Sequence, residues 1–428
     1  MGTIFNPHFT GFLLHYINFG AYLRRSMQNT ASHILSDRIM ALSESQTIAM
    51  AKKGRELAAQ GFDIINLSFG EPDFQTPQYI KDAAKEAIDE GFTFYTPVPG
   101  FPALRQAIAD KFKRDNNLDY GPENIVVSTG AKQSIANAVM CLVNPGDEVI
   151  VFSPYWVSYE EIVKLAEGIP VPLQGRLEND FKVTPEQLES AITSNTKLVM
   201  YSSPCNPTGS VFDEQELLAL AKVLEKHPQV YIIADEIYEY INFGEKHASM
   251  AGFDFIKDRV ITVNGFSKGY AMTGWRVGYI AAHKDIAVAC EKMQSQITSG
   301  TCSIAQKAAH AALLGGNESA LEMRDAYLRR RDLVLEIMQG IPGFRTNVPT
   351  GAFYIFPDVS YYFGKSYNGN IISSALDLSL YLLTDAHVAL VSGEAFGAPQ
   401  CIRFSYATSD DKLIEALRRI KESLAKLQ

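Results

Sequence analysis

Ile125-Val126-Val127-Ser128-Thr129-Gly130-Ala131-Lys132-Gln133-Ser134 is a short apolar run that stops at a Thr-Gly pair and gives way, from Ser134 to Leu142, to helical spacing. A continuous Val/Ile run has no polar face, so it reads as a strand buried on both sides. The same unit recurs outward. Glu148 to Phe152 is a second run, and Lys197 to Tyr201 is a third, ending at Ser202-Ser203-Pro204 and followed by a helical stretch from Asp213 to Leu224. Val230 to Ala234 ends at Asp235-Glu236, and Val260 to Val263 ends at Asn264-Gly265. Strands alternating with helices predict a parallel sheet covered on both faces, an α/β fold. Beyond about Ala309 the pattern changes to long amphipathic helices (Glu322 to Met338, Asp411 to Leu427), with short strands at Ala352 to Phe356 and Ile402 to Tyr406. The chain reads as a large α/β domain in the middle and a smaller α+β domain built from both ends.

Composition narrows the function classes. The 428 residues are 46% hydrophobic and 20% charged, which excludes wholesale disorder. A formal net charge of −9 argues against a surface that neutralises nucleic-acid phosphates or anionic lipid. The longest apolar stretches, such as Ile135 to Val143, fall short of the roughly 18–20 residues that span a bilayer. Cys141, Cys205, Cys290, Cys302 and Cys401 include no C-x-x-C pair, so neither a disulfide framework nor a zinc site is expected, and a reducing, cytoplasmic setting fits. None of the eight His residues falls in a motif, so all are read as structural, and no metal is expected. Residues 1–34 behave differently. Met1 to Arg25 lacks any acidic residue and carries Arg24 and Arg25 after its apolar part, the wrong order for a secretory signal. The segment reads as an extension outside the fold or an over-called start with Met27 as initiator; plastid targeting is the alternative.

Ligands of open parallel sheets bind beyond the carboxyl ends of the strands. The polar residues that end the runs therefore belong together: Gly130-Ala131-Lys132, Asn206-Pro207-Thr208-Gly209, Asp235-Glu236-Ile237-Tyr238 and Ser267-Lys268. Asn206, Asp235 and Lys268 are 29 and 33 residues apart (235 − 206, 268 − 235), about one βαβ unit of roughly 30 residues. Three successive strands would bring an amide, a carboxylate and an amine to one rim. Each piece alone has an ordinary reading: a good turn, a helix cap, a solvated lysine. Their common spacing gives them weight. Gly130 to Lys132 opens a helix, where free N–H groups make a phosphate seat. With no G-x-x-x-x-G-K-[ST] and no G-x-G-x-x-G after a strand, triphosphate and dinucleotide ligands lack their loops.

The fourteen residues Gly265-Phe266-Ser267-Lys268-Gly269-Tyr270-Ala271-Met272-Thr273-Gly274-Trp275-Arg276-Val277-Gly278 resemble the pyridoxal-phosphate attachment segment of class I aminotransferases. Phe69-Gly70-Glu71-Pro72, Tyr95 to Gly100, Ser153-Pro154-Tyr155-Trp156, Asn206 to Gly209, Asp235 to Tyr238 and Cys401-Ile402-Arg403-Phe404-Ser405 follow in the family's order. The resemblance runs from about Leu35 to the C-terminus and is nearest to the bacterial and plastid-type aspartate aminotransferases. It implies a fold-type I transferase with a large cofactor-binding domain at 76–308 and a small domain from 35–75 and 309–428. It also implies a homodimer with shared active sites.

The same resemblance implies roles that suit the residue types. Lys268 would bond the cofactor aldehyde and then shuttle the substrate Cα proton. Asp235 would keep the pyridine nitrogen protonated. Tyr238 and Asn206 would hydrogen-bond the ring oxygen, and Trp156 would stack on the ring; read alone, Trp156 is a core tryptophan. Gly130, Ala131, Lys132, Ser267 and Arg276 would hold the phosphate, with Tyr95 reaching the phosphate of the partner subunit. Arg403 would clamp the substrate carboxylate, approached by Gly70 and by Trp156 and Asn206. For a dicarboxylate substrate, relatives supply an arginine from the region corresponding to Ser295–Ser303, which holds none here. Lys132 is the replacement cation, helped by Ser45 and Thr47. The expected reaction exchanges an amino group between L-aspartate and 2-oxoglutarate in ping-pong fashion. Prephenate with glutamate, a broader amino-acid range, or carbon–sulfur lyase chemistry are the alternatives. A DNA-binding regulator lacks its helix-turn-helix.

Overall fold

The computed structural model describes residues 34–43, 46–244 and 246–428. By its internal contacts the chain divides at Ser43–Glu44. In the first unit the described part is one helical turn, Asp37–Met40, whose N-cap Ser36 accepts from Ile39 N at 3.4 Å. The expectation of an extension at 1–34 falls almost wholly outside the described residues.

The second unit carries the strands β1 (Ile65–Asn66), β2 (Ile125–Ser128), β3 (Glu148–Ser153), β4 (Ile169–Gln174), β5 (Thr196–Ser202), β6 (Tyr231–Asp235) and β7 (Val260–Gly265). They are followed by β8 (Gly278–Ala281), β9 (Tyr354–Ile355), β10 (Ser366–Tyr367), β11 (Asn370–Ile371), β12 (Val388–Ala389), β13 (Val391–Ser392) and β14 (Ile402–Ser405). Seven of them form one sheet in the order β2-β8-β7-β6-β5-β3-β4. The pairings among β3, β4, β5, β6 and β7 are parallel, while β8 runs antiparallel to both β2 and β7. The sheet is thus mainly parallel, as the alternating pattern predicts, with one reversed strand.

Alternate residues of each strand enter different cores, as a period of two requires. Val127, Ile150, Val199 and Ile232 pack on one face with Leu104, Ile108, Leu217 and Leu220. Val126, Val149, Val151, Leu198, Met200 and Ile233 pack on the other with Ile135, Val139, Tyr159 and Val163. Burial on both faces explains why the strands read as unbroken Val/Ile runs. The helix after β2 starts at Ala131, three residues before its sequence signal, because Gly130 stands as N-cap at φ 85°. Helix Glu214–Glu225 begins in a capping box: Asp213 accepts from Glu216 N and Glu216 accepts from Asp213 N, both at 2.8 Å.

A separate core joins the segment around β1 to the C-terminal part of the chain: Ile65 and Leu67 with Val334, Phe353, Tyr354, Leu390, Ile402 and Phe404. β1 pairs in parallel with β12, and β13-β14-β9 make an antiparallel sheet. Helix Asp410–Leu424 lays Leu413, Ala416, Leu417, Ile420 and Leu424 on this core, one stripe at helical period. Among the described residues no helix is long and apolar enough to cross a membrane.

Candidate active site

β5, β6 and β7 are neighbours in the sheet, so the segments that leave their carboxyl ends meet at one rim. There Asn206, Asp235 and Lys268 line a cavity of about 390 Å³, together with Gly70, Ala131, Lys132, Trp156, Tyr238, Ser267, Arg276 and Arg403. The spacing read from the sequence does place an amide, a carboxylate and an amine in one hollow. Thr47 also lines it, while Ser45 lies outside the described residues. A groove of about 540 Å³ shares Phe69 and Glu71 with the rim but reaches none of the three.

Burial sets the charges. Asp235 is 4% exposed. Its Oδ2 accepts from Tyr159 Oη at 2.6 Å and its Oδ1 from Ile237 N at 3.2 Å. Burial lifts its pKa to about 6, against the opposing hydrogen bond from Tyr159. Lys268 Nζ donates to Gly70 O at 2.5 Å. Burial draws its pKa down to about 8, with Glu71 opposing and Arg403 and Arg276 adding to the fall. Burial, and then the neighbouring Tyr354 hydroxyl, keep Tyr238 a neutral phenol.

Arg403, 2% exposed, gives Nη1 to Asn206 Oδ1 at 2.9 Å and Nη2 to Ser68 O at 2.7 Å, and its Nε is buried with no partner. Arg276 holds a left-handed backbone at φ 58° and donates Nη1 to Thr273 O at 2.8 Å. A Cβ on Gly130 would stand 2.4 Å from Arg276 Nη2, so only glycine lets the guanidinium reach the helix N-terminus there. Lys132 Nζ sits 4.9 Å from the Trp156 ring centre. Among the described residues neither Lys132 nor Arg276 has a carboxylate partner. Four cations thus face one cavity with Asp235 and Glu71, leaving positive charge in surplus.

Tyr95 is not in this cavity; it is 97% exposed. Sequence reasoning missed Tyr159, which holds Asp235, and also Ser68 and Tyr354. Tyr159 had a faint signal, three residues after Trp156 at the start of helix Ser158–Leu165. Ser68 acts through its backbone, which no side-chain pattern reveals. Behind the rim, Glu236 accepts from Ser249 Oγ at 2.6 Å and pairs with His247 at 3.1 Å, while Glu239 pairs with the fully buried Lys111. These contacts fix the back of the Asp235–Tyr238 turn.

A parallel-sheet rim with a partly buried lysine, a buried carboxylate and a cation-rich wall suits group transfer on anionic ligands. The family model for aminotransferase class I and II matches residues 63–420, and the chain belongs to this family. It is 47% identical to the aspartate/prephenate aminotransferase of Cereibacter sphaeroides, over 92% of this chain and 99% of that one. It is 46% identical to the bifunctional aspartate aminotransferase and glutamate/aspartate-prephenate aminotransferase of Petunia hybrida, over 92% and 83%. Its fold superposes on the aspartate aminotransferase of Rhizobium meliloti with a TM-score of 0.89 at 41% identity, covering 92% of this chain and 99% of that one. The maleate-bound aspartate aminotransferase of Thermus thermophilus gives 0.86 at 40% identity, over 91% and 99%.

Proposed function

We propose that the chain is an aspartate aminotransferase working with pyridoxal 5′-phosphate, with 2-oxoglutarate as amino acceptor. The observation that carries this is the convergence of Lys268, Asp235 and Asn206 from three adjacent strands on a cavity walled by Lys132, Arg276 and Arg403. The residues fit the cofactor. An orphaned Arg403 Nε, an Arg276 with no carboxylate partner among the described residues, and a glycine cradle at Gly130 are groups awaiting anions. When bound, pyridoxal phosphate supplies a carbonyl that takes up the amino group and a ring that accepts the electron pair left at Cα.

The chain's residues do the rest. Lys268 would attach the cofactor and, when released from it, move the Cα proton; burial draws its pKa down to about 8, toward the neutral amine that role needs. Asp235, fixed by Tyr159, is placed to hold the ring nitrogen charged; a cation there would return its carboxyl to the ionised form. Tyr238 and Asn206 would hydrogen-bond the ring oxygen, and Trp156 would cover the ring face. The backbone at Gly130, Ala131 and Lys132, with Ser267 and Arg276, would seat the phosphate, leaving the Lys132 amine for the substrate. Arg403, oriented by Asn206 and Ser68, takes the α-carboxylate beside Gly70. Tyr95 serves the partner subunit of a homodimer, which suits its exposure. Residues 76–308 form the cofactor domain, and 35–75 with 309–428 the smaller one.

Lys132 sets the substrate class, because a free amine at the cavity meets a second carboxylate. Prephenate also carries two, and the Cereibacter and Petunia relatives bear its name, so it is the second substrate. Lys132→Ala is the test. It should lower kcat/KM for aspartate and glutamate by about 30–100-fold, the worth of a charged hydrogen bond, and leave alanine nearly unchanged. Equal losses for all three amino acids would refute the assignment.

A further inference from the structure

Tyr354 opens β9 opposite Ser405 in the β9–β14 pairing and is fully buried one layer behind the cavity wall. It nonetheless touches the groups that line the wall. Its hydroxyl is 2.8 Å from the Tyr238 hydroxyl, with the two rings edge to face at 6.0 Å. The Arg403 guanidinium carbon lies 4.6 Å from the Tyr354 ring centre and 4.9 Å from that of Phe396. A Cβ on Gly70 would come within 2.9 Å of the Tyr354 hydroxyl, so glycine at 70 is what lets the phenol approach the strap whose carbonyl receives Lys268.

A phenol has one proton to give. If Tyr238 gives its proton to the ring oxygen of the cofactor, then Tyr238 can only accept from Tyr354, and the two hydroxyls form a directed chain. Each donor in such a chain strengthens the next. We propose that Tyr354 is a positioning residue: its hydroxyl donates to Tyr238 and turns the Tyr238 O–H toward the ligand, while its ring fixes the Arg403 guanidinium for the substrate carboxylate. The hydroxyl half rests on the pyridoxal-phosphate reading of the cavity, and the ring half on the carboxylate reading of Arg403.

The test uses the holoenzyme and two readouts apart from turnover: the pH titration of the bound cofactor's absorption band, and the dissociation constant of maleate, a dicarboxylate without an amino group. A weaker Tyr238 donor leaves more charge on the ring oxygen, so the titrating proton is held more tightly. Tyr354→Phe should raise the titration midpoint by about 0.2–0.6 pH unit in the wild-type background and leave it unmoved in a Tyr238→Phe background. Equal shifts in both backgrounds, or none in either, would overturn the hydroxyl role. Tyr354→Phe keeps the ring and should leave maleate binding within about twofold, whereas Tyr354→Leu should weaken it by about 5–30-fold. Equal maleate affinity in the Phe and Leu variants would overturn the ring role; should the Leu variant not fold, Tyr354→Met replaces it. A wild-type protein that gains no absorption band from pyridoxal phosphate would overturn the cofactor reading and the hydroxyl role with it. A band that titrates identically in all four proteins (wild type, the two single variants and the double variant) would overturn the hydroxyl role and leave that reading standing.

Discussion

Asp235 is buried and Lys268 partly buried, and each is pushed toward its neutral form. For Asp235 the folded pKa of about 6 lies above the ordinary 3.8. Its contribution to stability is therefore complete below about pH 4 and is lost as pH rises through about 6, a difference of about 3 kcal/mol. For Lys268 the folded value of about 8 lies below 10.5, so stability falls as pH drops from above 10 through about 8. Asp235→Asn should accordingly raise the melting temperature of the cofactor-free protein at pH 7.5 and flatten its decline between pH 4 and 6, while abolishing useful turnover. A cofactor-free variant that melts below wild type at pH 7.5 would show that Asp235 is not held under this penalty. Lys132, Asp235 and Lys268 were legible from the sequence because each follows the end of an apolar run, whereas Arg276 and Arg403 were picked out only by the family resemblance. What Asp235 leans on was not legible, since Tyr159 is donated by a different element across the sheet.

The elements place these groups by close backbone approach. A Cβ on Gly278 would stand 2.2 Å from Ala131 N and 2.6 Å from Gly130 C, so β8 is packed directly against the turn that opens helix Ala131–Leu142. Gly278→Ala must push this turn away from Arg276. It should cost about 1–3 kcal/mol in denaturant unfolding, as overpacking does, and weaken pyridoxal phosphate binding as well. Unfolding loss with unchanged cofactor affinity would show that the turn does not seat the phosphate. The long Val/Ile strands announce themselves because both faces are buried. β4 escaped because Ile169–Gln174 contains Pro170 and Pro172 and lies at the sheet edge, where proline is tolerated and burial is partial. β8 escaped because a run of Gly278 to Ala281 after a loop carries no sign of its direction, and its antiparallel pairing is set by where the chain returns.

At the scale of the molecule, the segment around β1 and the C-terminal part of the chain fold into one core around β1 and β12 and bring Gly70 and Arg403 to the rim from sequence positions more than three hundred residues apart. Long-range closure of that kind leaves no local signature; the pairing of Ile65 with Val388 could not be read from either segment alone. The outer surface carries Phe94 and Tyr95, 84% and 97% exposed, and Ile297 at 61%. Apolar groups left so open fit burial in a homodimer. Sedimentation at micromolar concentration should give twice the chain mass, and a fully active monomer would contradict shared active sites. The central claim is tested most directly by the absorption spectrum of the pyridoxal-phosphate-loaded protein before and after L-aspartate. Aspartate should convert the aldehyde-form band to the amine-form band, and 2-oxoglutarate should restore it. A cofactor band that aspartate and glutamate leave unchanged would contradict the claim.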